Sequence, residues 1–324
     1  MLQARLRPAP RPPTGDTSTP TRPDEDEPED VFGAFLPHLF PDDAPSFHGD
    51  PGQHLLYASP AYGDLEIMVP TYPGESANRS EEIAAGLDQR MDGVNKYPVE
   101  EGRKLFAHFL WDSGMVVAEG VEDAAAGKAE AKMWNVDGER VLELGAGAAL
   151  PSLISALSNA ATVTATDHPS SPALSGAIAF NMTHNLRHIS ASLNTTAIVP
   201  HEWGVLSDPF SLANKAHFTR IIAADCYWMR SQHENLVRSM LWFLAPGGCI
   251  WVVANFHTGR AIVAGFFETA VSLGLEVERI YERDCLARGD DGAEVRREWA
   301  PIREGEGPGM RRRWCVVAVL RKKS

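Results

Sequence analysis

The chain is poor in cysteine, and none of its cysteines is paired. Cys226, Cys249, Cys285 and Cys315 are scattered, with no C-x-x-C among them. That spacing excludes a disulfide-framed scaffold and a ribbon-type zinc site, and suits free, buried thiols in a reducing compartment. Long apolar runs are missing too: no segment reaches the length of a membrane span, and M-L-Q-A-R-L-R-P-A-P-R-P-P lacks a secretory leader's hydrophobic stretch. Its prolines obstruct an amphipathic import helix. The expected location is cytoplasmic, and the sequons at Asn78, Asn181 and Asn194 then carry no meaning. Basic charge is also short, with 30 Lys and Arg against 43 Asp and Glu and a net charge of -13. Such a balance argues against direct nucleic-acid binding. Part of it lies in D-E-D-E-P-E-D at 24–30, which reads as a solvated acidic run. H-E-N-L-V at 233–237 lacks the second histidine of a zinc-protease helix, so no metal is expected.

What is present is an ordinary globular composition, 44% hydrophobic and 23% charged over 324 residues. Residues 1–50, rich in Pro, Asp, Glu, Ser and Thr, are expected to be a largely disordered tail. Residues 51–324 read as a single domain, with 51–139 an N-terminal elaboration and 140–324 the ligand-binding core. In the elaboration, H-L-L-Y-A-S and L-E-I-M-V-P flank the turn-rich P-A-Y-G-D and predict a β-hairpin. Apolar residues at 105, 106, 109, 110 and 115–118 predict a helix. The Ala-, Glu- and Lys-rich stretch 122–134 reads as a surface helix or loop. Asn181 and Asn185 read as helix surface.

From about 140, strands and helices alternate. R-V-L-E-L, T-V-T-A-T-D, L-N-T-T-A-I-V-P, F-T-R-I-I-A-A-D and G-C-I-W-V-V-A-N-F predict five strands, with helices expected at 149–159, 171–186, 231–244 and 258–273. L-E-V-E-R-I-Y-E-R and R-W-C-V-V-A-V-L-R have only a Gly/Glu/Arg-rich loop between them. They predict an antiparallel pair at one edge of an otherwise parallel sheet.

The stretch V-L-E-L-G-A-G-A-A-L-P-S-L at 141–153 turns a buried strand into a helix through two alternating glycines, Gly145 and Gly147. A dinucleotide fingerprint needs a third small residue, and this chain has Leu150 there. Glu143, just upstream, would repel a pyrophosphate but stabilise a sulfonium and an ammonium, the two cations of S-adenosylmethionine. Asp167, twenty residues past Gly147, suits ribose hydroxyls of either ligand, and it could equally cap the helix after H-P-S-S-P. The combination favours a methyl donor.

E-L-G-A-G-A-A-L-P-S-L, T-D-H-P, E-W-G and A-A-D followed by aromatics, with E-D-E-P-E-D-V-F and K-L-F-A-H-F-L-W-D-S-G upstream, resemble methyltransferase family 16. The similarity is to its fungal nicotinamide N-methyltransferase-like group, which includes the elongation factor 1-alpha N-terminal and lysine methyltransferase. It covers roughly residues 25–280. The resemblance implies an α/β, Rossmann-like class I methyltransferase sheet of seven strands with the last one antiparallel, preceded by the hairpin and helix. It implies S-adenosylmethionine as cofactor, with Trp111, Gly145, Ala146, Gly147, Asp167, Trp203 and Ala224 around it. The implied acceptor is a protein amine, on elongation factor 1-alpha or elsewhere. A small amine such as nicotinamide, a non-catalytic partner protein keeping the fold, and a dinucleotide oxidoreductase are the competing readings.

The chain departs from the family at D-C-Y-W-M, where Trp228 replaces the usual Phe or Tyr three residues after the fourth-strand acid, with Tyr227 beside it. The segments 122–137 and 283–312 also differ from the family. Asp225 and Trp228 are the candidate catalytic pair, the carboxylate to orient the amine and the ring to desolvate it. Cys226 reads as a packed thiol rather than a nucleophile.

Overall fold

Runs of Val, Ile, Leu and Ala cannot stay in water, and in parallel strands both faces must be covered. The computed structural model, which describes residues 2–10, 46–71, 109–188, 195–290 and 292–323, places them accordingly. The N-terminal part contributes strands β1 (Leu6–Pro8), β2 (Phe47–His48), β3 (His54–Ser59), β4 (Gly63–Met68) and β5 (Leu110–Trp111), then helix α1 (Asp112–Ala125). The alternating part follows as β6 (Arg140–Leu144), α2 (Leu150–Leu157), β7 (Thr162–Asp167), α3 (Ala177–Leu186), β8 (Thr196–Pro200), α4 (Pro209–Ala213) and β9 (Phe218–Ala224). It continues with α5 (His233–Phe243), β10 (Leu244–Asn255), α6 (Arg260–Ser272), β11 (Leu275–Arg288), β12 (Glu294–Arg297), α7 (Pro308–Arg312) and β13 (Trp314–Lys322).

The central sheet runs β12-β11-β13-β10-β9-β6-β7-β8. Strands β6 to β10 are mutually parallel, whereas β13 inserts antiparallel between β10 and β11. The expected architecture is therefore present, with β12 added at the edge as an eighth strand. Two apolar layers sandwich the sheet. One packs Val117, Val121, Leu150 and Ile154 against Val141 and Trp251. The other packs Val237, Met240, Phe243 and Phe266 against Leu142, Ile221 and Val252. After β6 the chain builds outward through β7 and β8, then returns to place β9 on the other side of β6. That reversal opens a crevice at the carboxyl ends of β6 and β9, where doubly wound sheets bind ligands.

Several local expectations change once packing is included. The hairpin β3–β4 forms as read, with Leu55 opposite Ile67 and Tyr57 opposite Leu65. Of the helix expected around 105–118, residues 101–108 lie outside the described residues, and 110–111 pair as β5 with β2 before α1 starts at Asp112. The stretch 122–134 is not wholly surface, because Trp134 is 2% exposed and packs edge-on to Trp251 at 5.2 Å. Helix α3 starts at Ala177, six residues later than expected. The stretch 283–312 is more than a loop, since it completes β11 and contributes β12 and α7.

Asn181 and Asn185 are not surface groups either. Asn181 accepts from Met68 N–H at 2.7 Å and donates to Met68 O and Ala148 O, while Asn185 makes the same two-way bridge to the Glu66 backbone. Together they rivet the hairpin to the core, because an amide side chain can substitute for a missing strand neighbour. Asn181 is fully buried.

Within residues 1–50, the described stretches 2–10 and 46–50 are structured. Leu2 is buried, and β1 pairs antiparallel with β3. Arg5 bonds to Tyr57 Oη at 2.8 Å and pairs with Glu119 at 3.0 Å and with Glu122, both on α1. Glu119 is shared with Arg283 and Arg288, and these guanidiniums hold its carboxyl down at about 2 against the upward push of burial.

Candidate active site

The crevice over β6 and β9 is a concave site, partly open to solvent, with about 870 Å³ of free space that includes solvent at its mouth. Each wall comes from the end of a strand. At the end of β6 the backbone turns with Gly145 at φ +68° and Gly147 at φ +54°, a conformation side chains resist. A Cβ on Gly145 would stand 3.0 Å from Trp203 Cζ2 and 3.0 Å from Cys226 Sγ, so this position lacks room as well. Gly147 differs, since no atom lies within 4 Å of its hypothetical Cβ and its backbone faces open space.

Asp167 ends β7. Its Oδ2 accepts from Gly147 N–H at 2.9 Å and its Oδ1 from His168 N–H at 2.7 Å. Burial raises this carboxyl despite those bonds. Asp167 lines the crevice, and a carboxylate there can accept ribose hydroxyls.

Asp225 follows β9 in a left-handed conformation, φ +53°, with its N–H donating to Val253 O at 2.8 Å. Its Oδ2 accepts from Ser113 Oγ at the start of α1, and its Oδ1 from Asn255 N–H at 3.2 Å. Burial pushes this carboxyl up to about 7, and the nearby Asp112 carboxylate adds to the rise, while the two hydrogen bonds oppose it. His257 Nδ1 lies 3.6 Å from Asp225 Oδ1, yet burial drops that imidazole to about 3, so it stands there neutral. Trp111 stacks on the His257 ring at 4.5 Å, and His48 Nε2 bonds Asp112 at 2.7 Å.

Of the ten residues singled out from sequence, Trp111, Gly145, Gly147, Asp167, Trp203, Ala224, Asp225 and Trp228 line the crevice together. Glu143 and Ala146 do not. Glu143 points toward α2, accepting from Ser152 N–H at 3.0 Å and Ser152 Oγ at 2.5 Å. It is 2% exposed, and burial pushes it up to about 8. Ala146 is spent on the turn, its N–H donating to Thr166 O at 2.8 Å. Tyr227 turns inward instead, donating to Ala223 O and packing on Phe266 at 4.3 Å, which leaves Trp228 as the ring in the crevice. Cys226 is a packed thiol whose Sγ donates to Leu144 O at 3.0 Å.

Sequence reasoning missed Phe109, His168, His201, Glu202, Met229 and Gln232 as lining residues. Phe109, His168, Glu202 and Met229 were within view, inside K-L-F-A-H-F-L-W-D-S-G, T-D-H-P, E-W-G and D-C-Y-W-M; His201 and Gln232 carry no distinguishing pattern. Among the described residues the lining includes Asp167, Glu202 and Asp225 but no lysine or arginine. These residues offer a pyrophosphate no lysine or arginine, whereas they offer a cationic ligand three acidic side chains. The open backbone at Gly147, the hydroxyl-accepting Asp167 and the flat face of Trp203 therefore fit S-adenosylmethionine.

A doubly wound sheet with β13 inserted antiparallel, and a carboxylate-lined crevice at its reversal point, define a Rossmann-like methyltransferase. Residues 98–270 match the family described as lysine methyltransferase, and the chain belongs to that family, with S-adenosylmethionine as its methyl donor. Relatives include the protein N-terminal and lysine N-methyltransferase efm7 of Schizosaccharomyces pombe, 30% identical over 58% of this chain and 73% of that one. The protein N-terminal and lysine N-methyltransferase EFM7 of Eremothecium gossypii is 28% identical over 69% of this chain and 80% of its own length. A TehB-like S-adenosylmethionine-dependent methyltransferase of Corynebacterium glutamicum superposes with a TM-score of 0.39 at 16% identity, covering 76% of this chain and 96% of that chain. No helix among the described residues is long and apolar enough to cross a membrane.

Proposed function

We propose that this methyltransferase acts on a protein amine, a lysine side chain or an N-terminal α-amine, with elongation factor 1-alpha the first substrate to test. The observation that carries this reading is Asp225, a carboxylate at the reversal point of the sheet that lines the crevice together with Trp111 and Trp228 and is raised by burial to about 7. The names of the relatives support it, as does a crevice whose described lining carries acidic side chains and no lysine or arginine. The four buried free thiols suit a cytoplasmic enzyme.

The bound donor supplies a methyl carbon already activated for displacement by its sulfonium leaving group. The chain's own residues have to position the acceptor and receive its proton. An attacking amine must be neutral, and a lysine has an ordinary pKa of ~10.4, an α-amine one of ~7.7–8.0. Phe109, Trp111 and Trp228 would strip water from the amine and lower that value. Asp225 would accept an N–H hydrogen bond, orient the nitrogen lone pair toward the methyl carbon and take the proton before passing it to water. Glu202, which lines the crevice near Trp203, would favour a positively charged approach.

Incubation with elongation factor 1-alpha and methyl-labelled cofactor, followed by intact mass, should show added methyl groups. In a lysate the label should enter the protein fraction. Label confined to small molecules would transfer the reading to a nicotinamide-type acceptor. Failure to bind adenosylhomocysteine would point to a non-catalytic partner. Normal turnover by Asp225→Asn would remove the role given to that carboxylate.

A further inference from the structure

We infer that Ser113 is a positioning residue for the acceptor-side carboxylate: its hydroxyl, buried at the start of α1, donates to Asp225 Oδ2 while the Asn255 N–H holds Oδ1. The inference rests on the amine-handling role proposed for Asp225. Ser113 is fully buried and is not among the residues lining the crevice, so it acts through Asp225 and not on ligand. Its place is set on both sides. Trp111, two residues earlier, stacks on His257, and Asp112 is tied to His48. The turn into α1 therefore presents the hydroxyl from a fixed base, and the carboxylate, which lines the crevice, is gripped at both oxygens.

Such a grip does two things. It fixes the plane of the carboxylate, which sets the direction in which an amine N–H can be received. It also stabilises the ionised form, because a donated hydrogen bond favours the charged carboxylate over the neutral acid. The surroundings otherwise oppose ionisation. Burial is the main cause and the like charge of Asp112 on α1 adds to it, while the Cys226, Tyr227 and Cys315 groups, all raised, stay neutral and His257 after β10 offers no positive charge. The Ser113 hydroxyl and the Asn255 N–H are the donors that keep Asp225 available as a base near pH 7.

Sign matters for the test. Asp225 works when ionised, so activity is present above its pKa and lost as pH falls through it. Removing the Ser113 donor raises that pKa and moves the acidic limb of the kcat profile to higher pH. Ser113→Ala, and Ser113→Cys as a variant that preserves volume should the alanine fold poorly, are expected to shift the limb upward by about one unit. At pH 7 kcat should fall about fivefold and recover toward pH 9. The Kd for adenosylhomocysteine should stay within about twofold, because Ser113 does not line the crevice. Ser113→Thr, which restores a hydroxyl, should restore the wild-type limb.

A wild-type limb in Ser113→Ala and Ser113→Cys, with Asp225→Asn inactive, would overturn the positioning role and leave the reading of Asp225 standing. A lowered melting temperature with an unmoved limb would do the same, marking Ser113 as packing alone. Full turnover by Asp225→Asn would instead remove the function proposed for Asp225, and this inference with it.

Discussion

Gly145 and Trp203 are in contact at the limit of packing: a single added methyl on the glycine would stand 3.0 Å from the indole Cζ2. The turn at the end of β6 and the loop after β8 thus close on each other around a backbone that has no side chain. Cys226 closes the same point from β9, also at 3.0 Å. Three strand ends meet there, and the floor of the crevice is made by that meeting.

Gly145→Ala should therefore lose on two counts. A non-glycine residue held at φ +68° costs on the order of 1–3 kcal/mol, and the methyl would displace the Trp203 ring. The Kd for adenosylhomocysteine is expected to rise about tenfold or more, read by calorimetry. Binding at wild-type affinity would show that the indole position does not matter to the cofactor.

Stability should respond to pH in two opposite windows. Glu143, pushed up to about 8 from 4.5, keeps its proton when folded and loses it when unfolded, so rising pH between those values favours the unfolded chain. Glu119, drawn down to about 2 and paired with Arg5, Arg283 and Arg288, adds stability above 4.5 that is lost as pH falls toward 2. Glu143→Gln keeps an oxygen for the Ser152 donors and removes the proton. Its melting temperature should decline less than wild type from pH 5 to 8. An identical decline would show that Glu143 does not carry this dependence.

Trp134 fills the groove opposite Gly120, where a Cβ would meet the indole at 2.7 Å. Trp134→Ala should destabilise the protein by about 3–5 kcal/mol in denaturant unfolding, as truncating a buried aromatic does. Gly120→Ala should also destabilise, through overpacking. A neutral result for Trp134→Ala would mean that the segment 129–134 is not held by the core.

Much of the site was legible because it follows from short-range pattern. The alternating glycines after an apolar run announce a strand turning into a helix, and both lie where the turn demands them. Trp111 and Trp203 stood out by resemblance and Trp228 by its departure from the family, and all three line the crevice. Glu143 could not be placed from sequence for a physical reason: one residue of a buried strand can face either layer, and only its contact with Ser152 on α2 shows which way this carboxyl turns. Asn181 and Asn185 look polar and helical in sequence, and only the hairpin laid against α3 reveals what they hold.

Periodicity and turn chemistry, which are local, marked the alternation of strands and helices and the glycine turn at the crevice, and the family resemblance implied the Rossmann-like order. The tertiary structure alone decided which charges meet there. Ser113 and Asp225 are 112 residues apart, and no pattern in the chain links them. Their contact exists because α1 packs against the sheet beside β9 and β10, and burial then sets the proton affinity of the carboxylate. A sequence carries the residue types, but the dielectric around them and the distances between them arise only when the layers close.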